Sequence, residues 1–266
     1  MIRYKAPAKI NLYLEVLGKR EDGFHELLML MEEVPLYDFI YIEKDYGISV
    51  ECDIIRGDNI VFKAAQLYFD YFKLEGGVRI RLEKNIPLSA GLGGGSSDAA
   101  TTLIALRDLY GRGGEEELHQ LATELGSDVP FFLKKGPCIA RGRGEILEEV
   151  EGPSLGWILL VKPELGLSAG QVYKNLDLKE KSSGDFEGFL QAYRSSDNFM
   201  DFTINSLEAP AFKLVPELEE IKKLLGENSL MSGSGTTFFK LCKSQEEAKE
   251  LIKKLPKNLW VEILKG

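Results

Sequence analysis

Apolar and polar positions alternate along several stretches of the chain, and these define its strands. Ile10, Leu12, Leu14 and Val16 alternate with Asn11, Tyr13 and Glu15, the period-two pattern of a half-buried strand. That period puts Lys9 on the same side as Asn11. Val78, Ile80 and Leu82 alternate with Arg79 and Arg81 in the same way. Leu36 to Glu43 and Ile48 to Cys52 read as strands paired around a turn at Asp45–Gly47. Asp58 or Asn59 caps a helix running through Ile60, Ala64, Leu67 and Tyr71. From Ser97 onward, Ala100, Leu103, Ile104, Leu106 and Leu109 keep one helical face apolar.

The next helix opens with Glu115, Glu116 and Glu117 in its first turn, where negative charge suits the dipole, and it ends at Gly126. Short strands follow around Gly142-Arg143-Gly144. The pattern breaks at Glu151-Gly152-Pro153, which predicts a division into residues 1–150 and 151–266. Trp157 to Val161 is a buried strand. Pro216 to Leu225 is an amphipathic helix with proline at its start. Ser244 with Glu247 forms a capping box for a helix reaching Leu255, and Trp260 to Leu264 is a final strand. Strands and helices mixed in this order predict an α+β fold.

Between the strand at Val78–Leu82 and the helix from Ser97 lies Pro87-Leu88-Ser89-Ala90-Gly91-Leu92-Gly93-Gly94-Gly95-Ser96-Ser97. Glycines permit the positive φ that lets successive N–H groups converge, and the helix behind them aims its positive dipole end at the same place. That setting favours a phosphate site over a flexible linker. The loop holds no lysine, which excludes the Walker pattern, and Ser96 stands where a dinucleotide fingerprint needs its third glycine. A second glycine–hydroxyl loop, Ser232-Gly233-Ser234-Gly235-Thr236-Thr237, precedes a strand.

Composition narrows the partners. The net charge of −9 leaves no surplus of cations for a nucleic-acid backbone, although a local loop can still hold a nucleotide. Cys52, Cys138 and Cys242 are far apart and in no metal-ligand spacing, so they read as reduced thiols of a cytoplasmic protein. No apolar run approaches the ~20 residues of a membrane span.

Two further segments carry candidate chemistry. Asp22-Gly23 is a tight turn presenting Phe24 and His25, a pair that reads either as packing or as a ligand contact. Asp128 lies in Gly126-Ser127-Asp128-Val129-Pro130-Phe131-Phe132, where it is either a rigidly held acid or the cap of an Asx turn.

The pattern Pro-x-Ser-x-Gly-Leu-Gly-x-x-Ser-Ser, with Ala8-Lys9-Ile10-Asn11, Asp22–His25, Gly126–Phe132 and Ser232–Gly235, resembles the GHMP kinases. These are the small-molecule kinases named for galactokinase, homoserine kinase, mevalonate kinase and phosphomevalonate kinase. The Lys9–Asn11 and Phe24–His25 segments resemble a branch whose alcohol substrate carries a cytidine diphosphate group. The resemblance implies two domains, a ribosomal-protein-S5-like layer that binds ATP and a ferredoxin-like layer on the substrate side, with the active site in the cleft. It implies ATP-dependent phosphorylation of the 2-hydroxyl of a methylerythritol unit on the non-mevalonate route to isoprenoid precursors. By the same resemblance Asp128 is the general base and Lys9 sits beside it. Residues Pro87 to Ser97 bind the ATP phosphates with Mg²⁺, and Ser97 is a candidate metal contact.

His25 would pair with the cytosine edge, Phe24 and Tyr173 would stack, Asn11 would contact the substrate near the reacting centre, and Gly233, Ser234 and Gly235 would close the substrate side. Phe24 replaces a tyrosine common in the relatives, and Ser89-Ala90 a more glycine-rich loop entry. Homoserine- or mevalonate-type kinases are the alternative within the family, but those substrates have no base to stack. A non-catalytic nucleotide sensor would need neither Lys9 nor Asp128.

Overall fold

The computed structural model describes residues 1–55, 59–179 and 183–266. The expected division at 150/151 follows chain order, whereas the two compact units are interleaved in sequence. One comprises Met1–Ala8, Leu36–Pro87 and Gly93–Lys135, and the other Lys9–Pro35, Leu88–Leu92 and Gly136–Gly266. Interleaving follows from two long strands, β1 (Ile2–Lys19) and β2 (His25–Asp45), each of which gives residues to both units.

In the first unit, β4 (Gly77–Glu83) lies between the end of β2 and β3 (Ser49–Glu51). It runs antiparallel to β2, with Ile42 opposite Ile80, and parallel to β3, with Val50 opposite Ile80. The turn at Asp45–Gly47 therefore does not close a hairpin, which corrects the expected pairing of Leu36–Glu43 with Ile48–Cys52. The inserted strand buries Val78, Ile80 and Leu82 and exposes Arg79 and Arg81, the alternation expected from sequence. Helices α1 (Ile60–Phe72), α2 (Gly94–Tyr110) and α3 (Glu115–Leu125) pack against one another. Asn59 caps α1 by accepting from the Val61 N–H at 2.9 Å; Asp58, the other candidate cap, lies outside the described residues. Along α2, Ser97, Asp98, Thr101 and Thr102 are buried as well as Ala100, Leu103 and Leu106, so the helix is covered on more than its apolar face.

The second unit holds β5 (Cys138–Gly142) between the start of β2 and β6 (Ile146–Glu149). Its other sheet has the order β10–β7–β9–β8, all antiparallel, from β7 (Trp157–Lys162), β8 (Ser229–Met231), β9 (Phe238–Cys242) and β10 (Trp260–Lys265). Helices α4 (Ala169–Lys174), α5 (Phe186–Ser195), α6 (Glu208–Leu214), α7 (Glu217–Leu225) and α8 (Gln245–Ile252) complete it. Ser244 caps α8 through the Glu247 N–H, but the Glu247 carboxylate accepts from Lys243 N–H, so the expected reciprocal box is one-sided. The helix also stops at Ile252, short of Leu255.

Residues Ala8 to Val16 of β1 are all buried, where the alternation predicted a half-buried strand. Phe186 and Phe189 of α5 pack on the Tyr13 ring at 5.0 and 5.1 Å, and the Tyr13 hydroxyl donates to Glu15 at 2.8 Å. Apolar cover and a satisfied hydroxyl let the polar positions of the strand go inside. No helix among the described residues is long and apolar enough to cross a membrane.

Candidate active site

The second unit carries Lys9, Asn11 and both ends of a tight loop-to-loop contact. Lys9 is buried on β1, its N–H donates to Leu92 O at 2.9 Å, and its ammonium donates to Asn11 Oδ1 at 2.5 Å. Lysines mostly keep their ammonium in water; this one is enclosed. Asn11 in turn donates to Met29 Sδ at 3.5 Å.

Gly233 adopts φ +56°, and a Cβ there would stand 3.2 Å from Lys9 Nζ and 3.5 Å from Asn11 Oδ1. Glycine thus brings the second loop's backbone against the Lys9–Asn11 pair. Asn205, which sequence reasoning passed over, holds that loop by donating to Met231 O at 2.6 Å and Gly233 O at 2.7 Å. Ser232 Oγ donates to Gly91 O at 2.9 Å and Thr237 N–H to Ala90 O at 3.1 Å. Ser234 is only partly buried.

A second cluster in this unit surrounds the Asp22–Gly23 turn. Arg20 bridges Asp22 at 3.0 Å and Glu26 at 2.7 Å, and Asp22 accepts from the Phe24 N–H at 3.1 Å. The turn leaves Phe24 half exposed with the Arg143 guanidinium 4.6 Å above its ring, a cation–π contact. His25 stacks on Tyr173 of α4 with ring centroids 4.9 Å apart and planes 22° from parallel. Burial, with help from the Lys19 charge, lowers the His25 pKa below its usual value, so the ring is neutral at pH 7 and offers one donor and one acceptor nitrogen.

The first unit carries the helical half of the glycine loop. Gly93 caps α2 at φ +71° and makes no side-chain cap, and Ser97 N–H returns to Gly93 O at 2.9 Å. The N–H groups of Gly94, Gly95 and Ser96 head the helix without intrahelical acceptors, which makes them donors for an anion. Ser97 Oγ is buried with no hydrogen-bond partner among the described residues.

Behind this turn Lys84 bridges Asp38 and Asp98, the latter at 2.6 Å, and all three side chains are buried. Asp38 also accepts from the N–H groups of Asn85 and Ile86. Burial and the Asp38 charge push the Asp98 carboxyl up to about 8 against the pull of Lys84. Asp128 is partly buried in the turn between α3 and a 3-10 turn at Pro130–Leu133, next to buried Val129, Phe131 and Phe132.

Arg143, Lys84 and Asn205 were not singled out by sequence. A lysine in a strand-end Glu-Lys-Asn and an arginine between glycines carry no local signature of burial or stacking. Only their long-range partners, Asp38 and Phe24, reveal them.

Comparison with known proteins decides the family. Residues 59–136 match the family model of the GHMP kinases N terminal domain, and residues 176–260 that of the GHMP kinases C terminal. The chain is 45% identical over 250 residues to the 4-diphosphocytidyl-2-C-methyl-D-erythritol kinase of Syntrophotalea carbinolica, covering 90% of this chain and 89% of that one. It is 38% identical over 269 residues to the enzyme of the same name from Thermodesulfovibrio yellowstonii, covering 95% and 94%. The chain belongs to the 4-diphosphocytidyl-2-C-methyl-D-erythritol kinase family.

A crystal structure of 4-(cytidine 5'-diphospho)-2C-methyl-D-erythritol kinase superposes with a TM-score of 0.85 at 38% identity, covering all of both chains. A homoserine kinase from Cytophaga hutchinsonii shares the fold at a TM-score of 0.77 and 20% identity. This kinase is thus a two-domain α+β protein of the GHMP type and an ATP-dependent small-molecule kinase.

Proposed function

We propose that this kinase transfers the γ-phosphoryl group of ATP to the 2-hydroxyl of 4-diphosphocytidyl-2-C-methyl-D-erythritol, giving the 2-phosphate and ADP. The observation that carries the choice of substrate is the aromatic cluster at the Asp22–Gly23 turn. Phe24 lies under Arg143 and His25 lies on Tyr173, a set of flat faces and polar edges suited to a pyrimidine base. Neutral His25 would hydrogen-bond the cytosine edge, with Phe24 and Tyr173 supplying stacking faces. A homoserine- or mevalonate-type alcohol would leave these groups without a role.

Asp128 would act as general base for the 2-hydroxyl proton. Lys9 would counter charge on the transferring phosphoryl group, and Asn11, fixed to Lys9 at 2.5 Å, would orient the methylerythritol hydroxyls. Gly233, Ser234 and Gly235 would close the substrate side. Pro87, Leu88, Ser89, Ala90, Gly91, Leu92, Gly93, Gly94, Gly95, Ser96 and Ser97 would bind the ATP phosphates by backbone N–H groups and serine hydroxyls.

Ser97 fits a Mg²⁺ contact because its buried hydroxyl has no hydrogen-bond partner among the described residues. The ion would neutralise charge on the β- and γ-phosphates. The two family models fall on either side of residue 150, which supports a division of the chain into residues 1–150, with the ATP loop, and 151–266, on the substrate side, although Asn11, Phe24 and His25 of the first part would also serve the substrate. Three cysteines without disulfides support a cytoplasmic location.

The test is Mg²⁺-ATP turnover followed by phosphorus NMR, with the cytidyl substrate, mevalonate and homoserine in parallel. A new phosphomonoester on the cytidyl substrate alone is expected, and Asp128→Asn should lower kcat by roughly 100-fold or more. Turnover on another alcohol only would overturn the substrate and the roles of Phe24, His25 and Tyr173.

A further inference from the structure

Lys162 is the last residue of β7 and is 5% exposed. Its ammonium donates to Pro163 O at 2.8 Å and Leu165 O at 3.1 Å. No carboxylate lies within ion-pair range of it among the described residues. Burying a cation without a counter-charge costs free energy that a neutral side chain of similar length would not, so fold stability alone is a poor reason for a lysine here. Burial also lowers its pKa, while the two carbonyls are acceptors that suit an ammonium.

The carbonyl that Lys162 holds is shared. Leu165 O also accepts from Thr236 Oγ1 at 3.0 Å, and Thr236 is fully buried. The next residue, Thr237, donates its N–H to Ala90 O, and Ser232 of the same loop donates to Gly91 O. On the other side of Leu165, Gly166 approaches Ser89 so closely that a Cβ would fall 2.7 Å from the Ser89 Cβ. The turn fixed by Lys162 therefore meets Ser89, Ala90 and Gly91 by two routes, directly at Gly166 and through the second glycine loop.

We propose that Lys162 is a positioning residue for ATP. It locks the Pro163–Leu165 turn, and that turn holds Thr236 and the backbone of Ser89–Gly91 in register. The inference rests on the reading of Ser89–Gly91 as part of the phosphate-binding loop. A neutral replacement frees the Leu165 carbonyl to rotate and lets the two loops drift apart, which weakens ATP without touching the substrate pocket around His25.

The experiment compares wild type with Lys162→Met, Thr236→Val and the double variant. Each is measured for the KM of ATP, the KM of the alcohol substrate, and calorimetric affinity for a non-hydrolysable ATP analogue. Lys162→Met should raise the ATP KM and the analogue Kd by ~10-fold, with a smaller rise of ~3-fold in the alcohol KM because Gly233–Gly235 belong to the loop that shifts. Thr236→Val, which keeps the side-chain shape, should show the same split more weakly, and the double variant should be no worse than Lys162→Met. Unchanged ATP affinity with only a lower melting temperature would overturn the proposal, as would additive effects in the double variant. Should Lys162→Met fail to fold, wild-type ATP affinity in Thr236→Val overturns it equally. The analogue titration is independent of turnover, so a wild type that binds the analogue but phosphorylates none of the alcohols would refute the substrate and leave this inference standing.

Discussion

Replacing Gly91 with alanine tests whether the contact between the two glycine loops matters to catalysis. Gly91 sits at φ +74°, and a Cβ there would fall 2.0 Å from Ser232 O and 3.0 Å from Gly235 N. The backbone term alone costs roughly 1–2 kcal/mol for a residue with a side chain. The steric term is larger in consequence, because carbon and oxygen in ordinary contact need more than ~1 Å of extra separation. Both clashing atoms are backbone, so no side chain can swing away. One loop must move relative to the other, or Gly91 must leave its conformation and lose the 2.9 Å bond from Ser232 Oγ to its carbonyl.

A displacement of ~1 Å in a group that positions a reacting phosphoryl costs on the order of 100-fold in rate, or about 2.7 kcal/mol of transition-state stabilisation. The assay is ADP release coupled to a visible readout, run over a range of ATP and alcohol concentrations. A melting curve beside it checks that the variant is folded. Gly91→Ala should lose about 100-fold in kcat/KM for ATP, with a melting temperature lowered by only a few degrees. A folded variant within ~3-fold of wild type would show that the loop contact is not needed for phosphoryl transfer.

Two further predictions concern buried charge. Lys84→Met leaves Asp38 and Asp98 buried together without their shared ammonium, which should cost ~3–5 kcal/mol and lower the melting temperature by roughly 5–9 °C; a drop below ~2 °C would refute this reading. Burial raises Glu32 from 4.5 to about 7, against a hydrogen bond from the Tyr193 hydroxyl that lowers it. The folded state therefore binds the extra proton, and the stability tied to it is complete below pH 4.5 and is lost as pH rises through about 7. Glu32→Gln keeps an acceptor for Tyr193 and removes the ionisation. After discounting for partial exposure, it should be ~2 kcal/mol more stable than wild type at pH 8 and equal to it near pH 4. An equal shift at both pH values, read by calorimetry, would sink the assignment.

Local chemistry was legible from the residues alone. Alternation at Val78–Leu82, the glycine run and the helix beyond it placed a strand, a positive-φ glycine loop and a helix N-terminus in series, because period and φ preference are properties of neighbouring residues. The same logic put Lys9 and Asn11 on one side of β1, and the structure joins them at 2.5 Å.

What sequence could not determine was pairing across distance. Nothing local says that β4 enters between β2 and β3, since a hairpin at Asp45–Gly47 satisfies the same alternation; tertiary packing chose the arrangement that buries Val78, Ile80 and Leu82. Alternation also predicted one wet face for β1, and the aromatic rings of α5, some 170 residues further on, cover it. Lys84, Arg143 and Lys162 look like surface cations in the sequence. Only the folded chain supplies the carboxylates of Asp38 and Asp98, the ring of Phe24 and the carbonyl of Leu165 that give each one a place. A charge's environment is set by whatever the fold brings within a few ångströms of it, and that is decided by the burial of apolar faces far away along the chain.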